Sequence, residues 1–507
     1  MSFNLATTLR ESTAASPDKP LVHFGDQSFS YAQVDEISGR VAAGLLGTGL
    51  ELGDKVAVQL PNIPQFLFSY FGVLKAGLVV VPLNPLLTAR EVAYHLADSD
   101  AKLLVTFEQF AEPAFRGARE AGEVPTYVVN VPGGDQRCPE GTRPFDELCA
   151  AGDSREIHPT AADDTAVLLY TSGTTGKPKG AELTHFQLFM NCTVTGEIVD
   201  FSPHDVVVGA LPLFHIFGLS CVLNIAVRFG SSLVLIPRFE AKAVADAIER
   251  HRCTVFSGVP TMFIALLQLD STGRDLSSLR VASSGGASIP GEVIRLVEEK
   301  FAGMVILEGF GMSETASTAT LNMDAKRRKV LSIGKPLWGV DVRVVDAYAE
   351  ELPPGTEHVG EVVIRGHCVM KGYYKNPEAT AEVLRNGWFH TGDLAYRDED
   401  GYLFIVDRLK DMVTRGGYNV YPREIEEVLY AHPAVAEAAV VGRADERLGE
   451  EVLAYIVLKP DAALEADELI AHCKERLAAY KYPREIHILT ELPKGPTGKI
   501  LKRELRR

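Results

Sequence analysis

The sequence predicts an α/β protein with a large N-terminal part and a small C-terminal α/β domain. Three observations lead to this prediction. The chain has 507 residues, which is too long for one hydrophobic core. Its first part alternates short apolar runs with helix-like segments, and from about residue 334 strand-like segments follow one another without helices between them. The composition, with 46% hydrophobic and 23% charged residues, is typical of globular proteins.

The N-terminal part has the pattern of parallel sheets covered by helices. Lys55-Val-Ala-Val-Gln-Leu60 and Leu78-Val-Val-Val-Pro82 are short apolar runs typical of buried strands, and residues 65–75 between them are helix-like. This order predicts a parallel βαβ unit, and its recurrence predicts two parallel α/β subdomains. Further strands are predicted at residues 102–106, 232–236 and 255–257, and an amphipathic helix at residues 241–251.

The C-terminal part begins with strands alone. Val342-Arg-Val-Val345 and Gly360-Glu-Val-Val-Ile-Arg365 have no helix between them, which favours a small antiparallel, β-barrel-like subdomain at about residues 334–409. We predict one large domain at residues 1–409 and a small, mobile α/β domain at residues 410–507, a length at which a domain can fold alone. Within the small domain, helices are predicted at residues 423–431 and 466–479 and strands at residues 435–441 and 451–457.

Charge and cysteine content argue against several function classes. The net charge is −16, whereas nucleic-acid binding needs a basic surface, so no nucleic-acid partner is expected. Seven cysteines without a C-x-x-C pair indicate free thiols in a reducing compartment. The N-terminus has no signal-peptide pattern, and Lys75 and Arg228 interrupt the two most apolar stretches. We expect a cytoplasmic protein without a transmembrane segment and with at most peripheral membrane contact.

The most informative stretch is Tyr170-Thr-Ser-Gly-Thr-Thr-Gly-Lys-Pro-Lys-Gly180, which directly follows an apolar run. It holds three glycines, four serine or threonine hydroxyls and two lysines. Glycines let backbone N–H groups approach an anion, hydroxyls donate hydrogen bonds and lysines neutralise charge, so the stretch predicts a polyphosphate cradle. It is not a Walker A loop, because only two residues separate Gly173 from Gly176 and a proline follows the first lysine. A flexible polar turn is the alternative, and it would suit a shorter run of this composition.

This loop resembles the signature loop of the adenylate-forming superfamily, which comprises acyl-CoA synthetases, aryl-CoA ligases, beetle luciferases and the adenylation domains of peptide synthetases. Further motifs follow in family order over nearly the whole chain, which is most similar to bacterial medium- and long-chain fatty-acid–CoA ligases. The resemblance implies ATP and Mg²⁺ at the loop and coenzyme A as co-substrate. The loop residues that it assigns to ATP are Thr171, Ser172, Gly173, Thr174, Thr175, Gly176, Lys177 and Lys179.

Two glycine-rich segments complete the implied nucleotide site. Ser283-Ser-Gly-Gly-Ala-Ser288 would be an ordinary strand-to-loop turn on its own, but the family places adenine against Gly286 and Ala287. In Glu308-Gly-Phe-Gly-Met-Ser-Glu-Thr315, a ring can stack on adenine, a hydroxyl can donate to the α-phosphate and a carboxylate can bind Mg²⁺. The implied residues are Glu308, Gly309, Phe310, Gly311 and Ser313 for the nucleotide, and Glu314 with Thr171 for the metal.

The motifs between residues 388 and 410 resemble the family's ribose-binding residues and its hinge between the two domains. Trp388-Phe-His-Thr-Gly-Asp393 ends in an aspartate that can accept hydrogen bonds from both ribose hydroxyls. Such short motifs carry no signal alone, but here their spacing is that of the family. The resemblance implies that Asp393 and Arg408 bind the ribose and that Lys410 is the hinge between the two domains.

By the same resemblance, two C-terminal motifs serve the two steps of the family's reaction, which are formation of an acyl-adenylate from ATP and transfer of the acyl group to coenzyme A. Arg415-Gly-Gly-Tyr-Asn-Val-Tyr-Pro-Arg-Glu-Ile425 contains Gly416 and Gly417, which by resemblance line the channel for coenzyme A. As local structure, the segment is equally well described as a Gly-Gly turn before a helix. Pro493-Lys-Gly-Pro-Thr-Gly-Lys499 ends in the residue that matches the family's catalytic lysine, Lys499. A fixed ammonium there would stabilise the charge that moves between carboxylate and α-phosphate.

Leu211-Pro-Leu-Phe-His-Ile-Phe-Gly218 places one histidine among apolar residues. Alone it would be read as a satisfied core histidine, but the resemblance makes His215 a catalytic residue near the carboxylate and later the thiol. No Asp or Glu lies between Leu211 and Arg238, which favours a substrate without an α-amino group. The implied pocket residues are Phe214, His215, Ile216, Phe217, Gly258 and Val259.

Together these motifs imply an ATP-dependent acyl-CoA ligase that forms acyl-AMP and pyrophosphate and then a thioester with coenzyme A. A medium- or long-chain fatty acid is the preferred substrate, because the pocket stretch is apolar. Three alternatives stay open: an aryl-CoA ligase of the 4-coumarate type, an acyl-AMP ligase that loads a separate carrier protein, and a non-catalytic nucleotide sensor. A sensor would have no use for Lys499. Acyl chain length and oligomeric state also stay open, with a homodimer as one option.

Overall fold

The computed structural model describes residues 3–130, 138–150, 152, 156–171, 177–460, 462–496 and 498–506. Within these ranges the chain forms four sheets, of which two are mainly parallel and covered by helices, one is antiparallel and one is mixed. This arrangement confirms the predicted α/β class with a large N-terminal part and a smaller C-terminal part.

The first sheet has seven strands in the described part of residues 55–184. Lys55–Gln59 and Val79–Pro82 pair in parallel and helix Pro64–Lys75 connects them, which confirms the predicted βαβ unit. Proline suits the first helical position, because the N–H that it lacks would have no partner within the helix. In spatial order the strands are Arg143–Pro144, Thr126–Val129, Ala101–Phe107, Lys55–Gln59, Val79–Pro82, Thr165–Thr171 and Lys179–Thr184.

One edge of this sheet departs from the parallel pattern. Thr165–Thr171, the strand before the phosphate loop, is parallel to Val79–Pro82 but antiparallel to Lys179–Thr184. The chain therefore returns along the sheet instead of entering a helix after the loop. Helix His185–Ile198 begins only after this returning strand, with Thr184 as its N-cap in a capping box. Strands thus anchor both ends of the loop.

The second sheet has nine strands among the described residues 20–336. Its central strands are parallel and include those predicted at residues 232–236 and 255–257, and the predicted amphipathic helix is present as Ala241–His251. The strands at both edges are antiparallel. In spatial order they are Lys335–Pro336, Thr320–Leu321, Val305–Phe310, Val281–Ser284, Val255–Gly258, Val206–Gly209, Ser232–Leu235, Pro20–Phe24 and Gln27–Ser30.

The third sheet is antiparallel throughout its described strands, as the lack of intervening helices predicted. Trp388–Arg397 lies in its middle and pairs with three neighbours, so Asp393 sits in a strand that is held on both sides. The other strands are Val340–Val345, Gly360–Gly366, Leu384–Arg385 and Leu403–Arg408.

The fourth sheet, two long helices and the short helix Lys502–Leu505 form the described C-terminal part. Helix Pro422–Tyr430 begins at a proline, as the sequence predicted. The main apolar cluster of the N-terminal part ends at Leu403 and that of the C-terminal part begins at Val413, so the boundary proposed at Lys410 falls between two cores. The strands are Tyr418–Val420, Val413–Arg415, Gly449–Leu458, Val435–Asp445 and Glu485–Leu489, and the second long helix is Ala466–Arg476.

The helices that cover the N-terminal sheets are mostly short. None of the described helices is long and apolar enough to span a membrane. All seven cysteines are free thiols. The remaining helices are Thr7–Ala15, Tyr31–Gly47, Ala89–Ser99, Glu108–Phe110, Ala111–Glu120, Asp146–Cys149, Ile216–Gly218, Leu219–Asn224, Ile225–Arg228, Pro260–Gln268, Gly291–Lys300, Ser313–Thr315 and Pro377–Val383.

Candidate active site

Four of the predicted motifs follow the carboxyl ends of neighbouring parallel strands in the second sheet. In open α/β sheets, ligands bind beyond these ends, so motifs that are far apart in the sequence meet at one edge. The four strands are Val206–Gly209 before the histidine motif, Val255–Gly258 before Val259, Val281–Ser284 before the first glycine pair, and Val305–Phe310 before the metal motif.

The proposed adenine site is open and lined by backbone. Gly286 and Ala287 are exposed, and Gly286 has a φ of +76°, a conformation that favours glycine. The Phe217 ring packs against Gly285, where an added Cβ would lie 3.2 Å from the ring. Phe310 is half-buried at the end of its strand. A flat ring therefore has a glycine surface and an aromatic side chain beside it, which agrees with the role implied for these residues.

Glu314, the proposed metal ligand, is buried and held by neighbours. The Tyr373 hydroxyl donates a 2.8 Å hydrogen bond to its Oε1, and the N–H of Met370 donates to its carbonyl at 2.9 Å. Burial raises the pKa of Glu314, and hydrogen bonds from Tyr373 and Thr171 act in the opposite direction. No sequence motif indicated Tyr373, which lies in a loop between strands of the third sheet.

The metal motif fits a magnesium ion that arrives with a nucleotide. Mg²⁺ is typically held by one or two carboxylates together with substrate phosphates and water, rather than by a full protein cage. Among the described residues no group of three or more His, Cys, Asp or Glu side chains could hold a metal, whereas Glu314 and the Thr171 hydroxyl lie together. These two oxygen donors suit an ion whose remaining ligands come from ATP.

A strained turn follows Glu314. Ala316 has a φ of +51° and Ser317 a φ of +109°, conformations that L-residues adopt only when the surroundings enforce them. Gly311 provides part of that enforcement, because an added Cβ there would lie 1.5 Å from the Ser317 carbonyl oxygen. The glycine is required by this close approach, and the turn fixes the position of the preceding carboxylate.

Asp393 and Arg408 lie opposite each other on paired strands of the third sheet. Arg408 Nε is 3.2 Å from Asp393 Oδ1. Burial raises the pKa of Asp393, and the cations Arg408 and Lys499 offset part of this effect. The two residues predicted as the ribose clamp are therefore adjacent, with the acceptor carboxylate buried and its counter-ion in place.

Lys499 reaches this clamp from the C-terminal part. The Thr261 hydroxyl donates a 3.0 Å hydrogen bond to the carbonyl of Gly498, which fixes the residue just before the lysine. Burial, followed by repulsion from Arg408, lowers the pKa of Lys499 to about 7, and Asp393 opposes this shift. Thr261 has no signal in the sequence, because nothing in helix Pro260–Gln268 indicates a contact with a residue more than 200 positions away.

His215 lies close enough to Lys499 for their charges to interact. Burial and this neighbouring cation lower the pKa of His215 to about 4, so its imidazole is neutral at physiological pH. Its Nδ1 accepts a hydrogen bond from the N–H of Phe217 at 3.3 Å. The Nε2 atom is therefore the ring nitrogen left to face a substrate or a thiol.

The predicted acyl pocket divides into lining and core residues. Phe214 and Phe217 are half-buried, whereas Ile216 is only 2% exposed and belongs to the hydrophobic core. Gly258 and Val259 are buried, with Val259 beside both the proposed adenine site and the lysine loop. The side chains on the cleft surface are thus mainly aromatic.

The two remaining loops differ in what they present. Gly416 and Gly417 form an exposed hairpin turn with φ values of +59° and +84°, and Lys410, for which a hinge role was predicted, is exposed. The structure therefore presents Lys499, and not the glycine pair, to the N-terminal site.

The described lysines of the predicted phosphate loop lie at its C-terminal end. The Lys179 ammonium lies 5.1 Å from the centre of the Tyr373 ring, and Lys177 is exposed. The predicted loop residues Ser172, Gly173, Thr174, Thr175 and Gly176 lie outside the described part of the chain.

Glu308, predicted as a nucleotide residue, points away from the cleft. Its Oε2 accepts a 2.8 Å hydrogen bond from the N–H of Leu331, and Arg423 of the C-terminal part is the largest charge influence on it. Burial raises the pKa of Glu308 to about 8. Gly309 and Ser313 are half-buried near the cleft.

The pKa of Lys499 leads to a prediction on pH. Only the ammonium form can stabilise a developing negative charge, so kcat/KM for adenylate formation is expected to fall by up to about tenfold per pH unit above pH 7. ATP raises the lysine pKa in the complex, so kcat should fall at higher pH than kcat/KM. Pyrophosphate release measured from pH 6 to 9 tests this. Lys499→Arg should remove the break, and an unchanged profile in that variant would contradict the assignment.

Comparison with known proteins extends these observations over the whole chain. A family described as AMP-binding enzyme matches residues 9–374, and one described as AMP-binding enzyme C-terminal domain matches residues 424–499. Feruloyl-CoA synthase of an Amycolatopsis species is 40% identical over 97% of this chain and 96% of its own. Long-chain-fatty-acid–CoA ligase of Bacillus subtilis is 36% identical over 99% of this chain and 94% of its own length. The crystal structure of the anthranilate CoA ligase AuaEII with anthranoyl-AMP has a TM-score of 0.93 and 30% identity, and covers 100% of this chain and 97% of that one.

Proposed function

The chain belongs to the AMP-binding enzyme family and is an acid–CoA ligase by that membership; from this premise we propose that it joins a medium- or long-chain fatty acid to coenzyme A through an acyl-adenylate. One observation carries the proposal. The lysine loop of the C-terminal part reaches into the N-terminal cleft, where Lys499 lies beside Asp393, Arg408 and His215. A half-buried ammonium in this position suits a step in which two anions must meet.

In the first half-reaction, a carboxylate oxygen attacks the α-phosphorus of ATP and pyrophosphate leaves. No protein nucleophile is required, so catalysis consists of positioning the two anions and neutralising their repulsion. Asp393 and Arg408 hold the ribose, and Lys499 offers its charge to the carboxylate and the α-phosphate. Mg²⁺, which Glu314 and Thr171 would hold, neutralises phosphate charge when it is bound.

In the second half-reaction, the coenzyme A thiol attacks the acyl carbon, and AMP leaves with the electron pair of the broken anhydride bond. His215 is neutral, and because its Nδ1 accepts the Phe217 N–H, its proton lies on Nε2. The ring is therefore suited to donate a hydrogen bond to the acyl carbonyl oxygen, and the thiol proton leaves to solvent. Gly416 and Gly417 are exposed in the present arrangement, so this step needs the C-terminal part to turn about Lys410.

Three observations support a fatty-acid substrate: the absence of acidic residues from the pocket segment, its apolar side chains, and the name of one relative. The segment from Leu211 to Arg238 contains no acidic residue, and a buried ammonium without a partner is costly, so amino acids are poor candidates. Phe214 and Phe217 offer apolar surface to an acyl chain. Among the relatives, the ligase of Bacillus subtilis carries the name of this substrate class.

An aryl acid is the second candidate, favoured by a buried polar cluster close to Phe217 in the sequence. The Cys221 thiol lies 3.2 Å from the Ser317 hydroxyl and 3.3 Å from the Thr318 hydroxyl, and all three are buried. Cys221 is four residues beyond Phe217, in the helical segment that directly follows the one with Phe217. Polar atoms behind an aromatic wall suit a ring with a polar substituent better than a methyl end. The relative named feruloyl-CoA synthase agrees with this alternative.

A panel of acids decides between the two candidates. For a fatty-acid pocket, each added methylene should contribute roughly 0.8 kcal/mol, a few-fold in kcat/KM, until the pocket is full. AMP formation should be measured with and without coenzyme A for straight-chain acids, hydroxycinnamic acids and amino acids. If a hydroxycinnamate is faster than every straight-chain acid, the aryl assignment replaces the fatty-acid one. If only a carrier protein accepts the acyl group, the enzyme is an acyl-AMP ligase instead.

A further inference from the structure

Glu308 is a buried carboxylate that the proposed mechanism does not use. It is 6% exposed and receives one hydrogen bond, from the N–H of Leu331. A buried carboxylate normally needs a cation as well. The nearby Arg328 forms its ion pair with another residue, because its two terminal nitrogens bind both carboxylate oxygens of Glu298. Arg423 is the other cation that acts on Glu308.

Arg423 belongs to the C-terminal part but makes its contacts with the N-terminal part. Its guanidinium donates to the carbonyl of Ile405 and, at 3.4 Å, to that of Leu331. Its backbone N–H donates to Asp407 Oδ2 at 3.1 Å. The sequence indicated only that this residue begins a helix.

Leu331 is the point where these contacts meet. Its N–H donates to Glu308 and its carbonyl accepts from Arg423, so one residue links the buried carboxylate to the C-terminal helix. It has a φ of +70°, a strained conformation for leucine that its neighbours must enforce. Gly291 lies beside its side chain, and the Gly291 N–H donates to Glu427 on the same C-terminal helix at 3.4 Å.

Glu427 adds a repulsive element to this contact. It acts on Glu308 as a like charge, and its own pKa is raised by burial and lowered by Arg423. The charge of Arg423 therefore acts on two carboxylates, one from each part of the chain. Without its charge, the carboxylates would repel each other across the interface.

We propose that Arg423 is a positioning residue that holds the C-terminal part in the arrangement that presents Lys499, by donating hydrogen bonds to the Ile405 and Leu331 carbonyls across the interface and placing its charge near Glu308. The inference rests on the proposed two-step function. Turning about Lys410 would withdraw the cation from Glu308, so the contact favours the first half-reaction and opposes the change to the second. Its strength helps to set how the enzyme divides its time between the two arrangements.

The decisive variant is Arg423→Ala, tested on each half-reaction. Pyrophosphate release in a single turnover is expected to fall about fivefold or more, while thioester formation from supplied acyl-adenylate is retained or accelerated. The defect should grow as the pH rises past about 8, the pKa of Glu308, because the ionised Glu308 then lacks the charge of Arg423. Arg423→Lys should restore much of the rate, and Arg423→Ala with Glu427→Gln should restore part of it.

Arg443→Ala is the matched control, because it removes the same charge from an exposed ion pair with Glu485 in the C-terminal part. Equal loss in both half-reactions of Arg423→Ala, or no loss in either, would overturn the proposal. Hydrogen exchange at the Gly291 amide gives a readout independent of activity: it should speed up in Arg423→Ala and not in Arg443→Ala. If the wild-type protein forms no acyl-adenylate from any acid, the proposed function fails, while the exchange experiment still decides on the contact.

Discussion

Lys499→Ala is expected to reduce acyl-adenylate formation by about 10²- to 10³-fold, the loss typical when one fixed charge-stabilising group is removed from a site. The lysine is half-buried near Asp393 and Arg408 and its loop is held by Thr261, so water or buffer cations would replace its fixed charge poorly. Thioester formation from supplied acyl-adenylate should be nearly unchanged, because that step uses the other arrangement of the C-terminal part. Pyrophosphate release and thioester formation, measured separately, give the comparison.

Two variants control for loss of structure in this experiment. Arg503→Ala removes an exposed cation four residues away and should leave both half-reactions near the wild-type rate. Lys499→Arg keeps a charge but changes its shape, so it should recover only part of the first half-reaction. Equal losses of both half-reactions in Lys499→Ala would show that the lysine serves the fold or both steps, and the assignment would be wrong.

The sequence predicted the elements of this fold better than their pairing. Apolar runs and helical periodicity placed Lys55–Gln59, Pro64–Lys75 and Ala241–His251 nearly residue by residue, because burial imposes those patterns directly. Strand direction leaves no such pattern. The antiparallel return of Lys179–Thr184 beside Thr165–Thr171 was not predicted, since Lys-Gly-Ala-Glu-Leu-Thr contains no continuous apolar run that would indicate a strand.

The candidate site shows the same division. Glu314, Asp393 and Lys499 were assigned from the resemblance of their motifs to those of the adenylate-forming superfamily, and the structure brings Asp393 and Lys499 near each other. The residues that position them were not predicted, because Tyr373 and Thr261 are single polar residues whose partners are distant in the sequence. A hydroxyl that orients a carboxylate carries no local signature.

The direction in which a side chain leaves its helix or strand explains two further differences between the predicted and the observed site residues. Ile216 was assigned to the acyl pocket with its neighbours, but it faces the hydrophobic core, since adjacent residues on a helix point in different directions. Glu308 lies in a nucleotide motif, yet its side chain reaches Leu331 on the far side of the strand. Strand alternation turns neighbouring residues to opposite faces, so a motif can contain residues that never touch the ligand.

Lys410→Pro is expected to separate the two half-reactions in the opposite sense. Proline fixes φ near −65°, which restricts rotation at the proposed hinge. The present arrangement should tolerate it, because Lys410 is exposed, has no positive φ, and none of the described residues accepts its N–H. Adenylate formation in a single turnover should therefore survive, while thioester synthesis should fall by at least about tenfold, the scale of a blocked domain movement.

The hinge variant needs a control that alters the same segment without fixing its backbone. Lys410→Ala removes the charge and the long side chain but leaves φ free, so it should retain steady-state thioester synthesis. Arg506 donates to the Lys410 carbonyl and pairs with Asp411 at 2.9 Å, and neither contact involves the Lys410 side chain, so both variants keep them. If Lys410→Pro supports full steady-state thioester synthesis, the pivot lies elsewhere between the two cores. If instead both half-reactions fail in Lys410→Pro but not in Lys410→Ala, the proline has displaced Lys499 itself, and the hinge must be located with substitutions on either side.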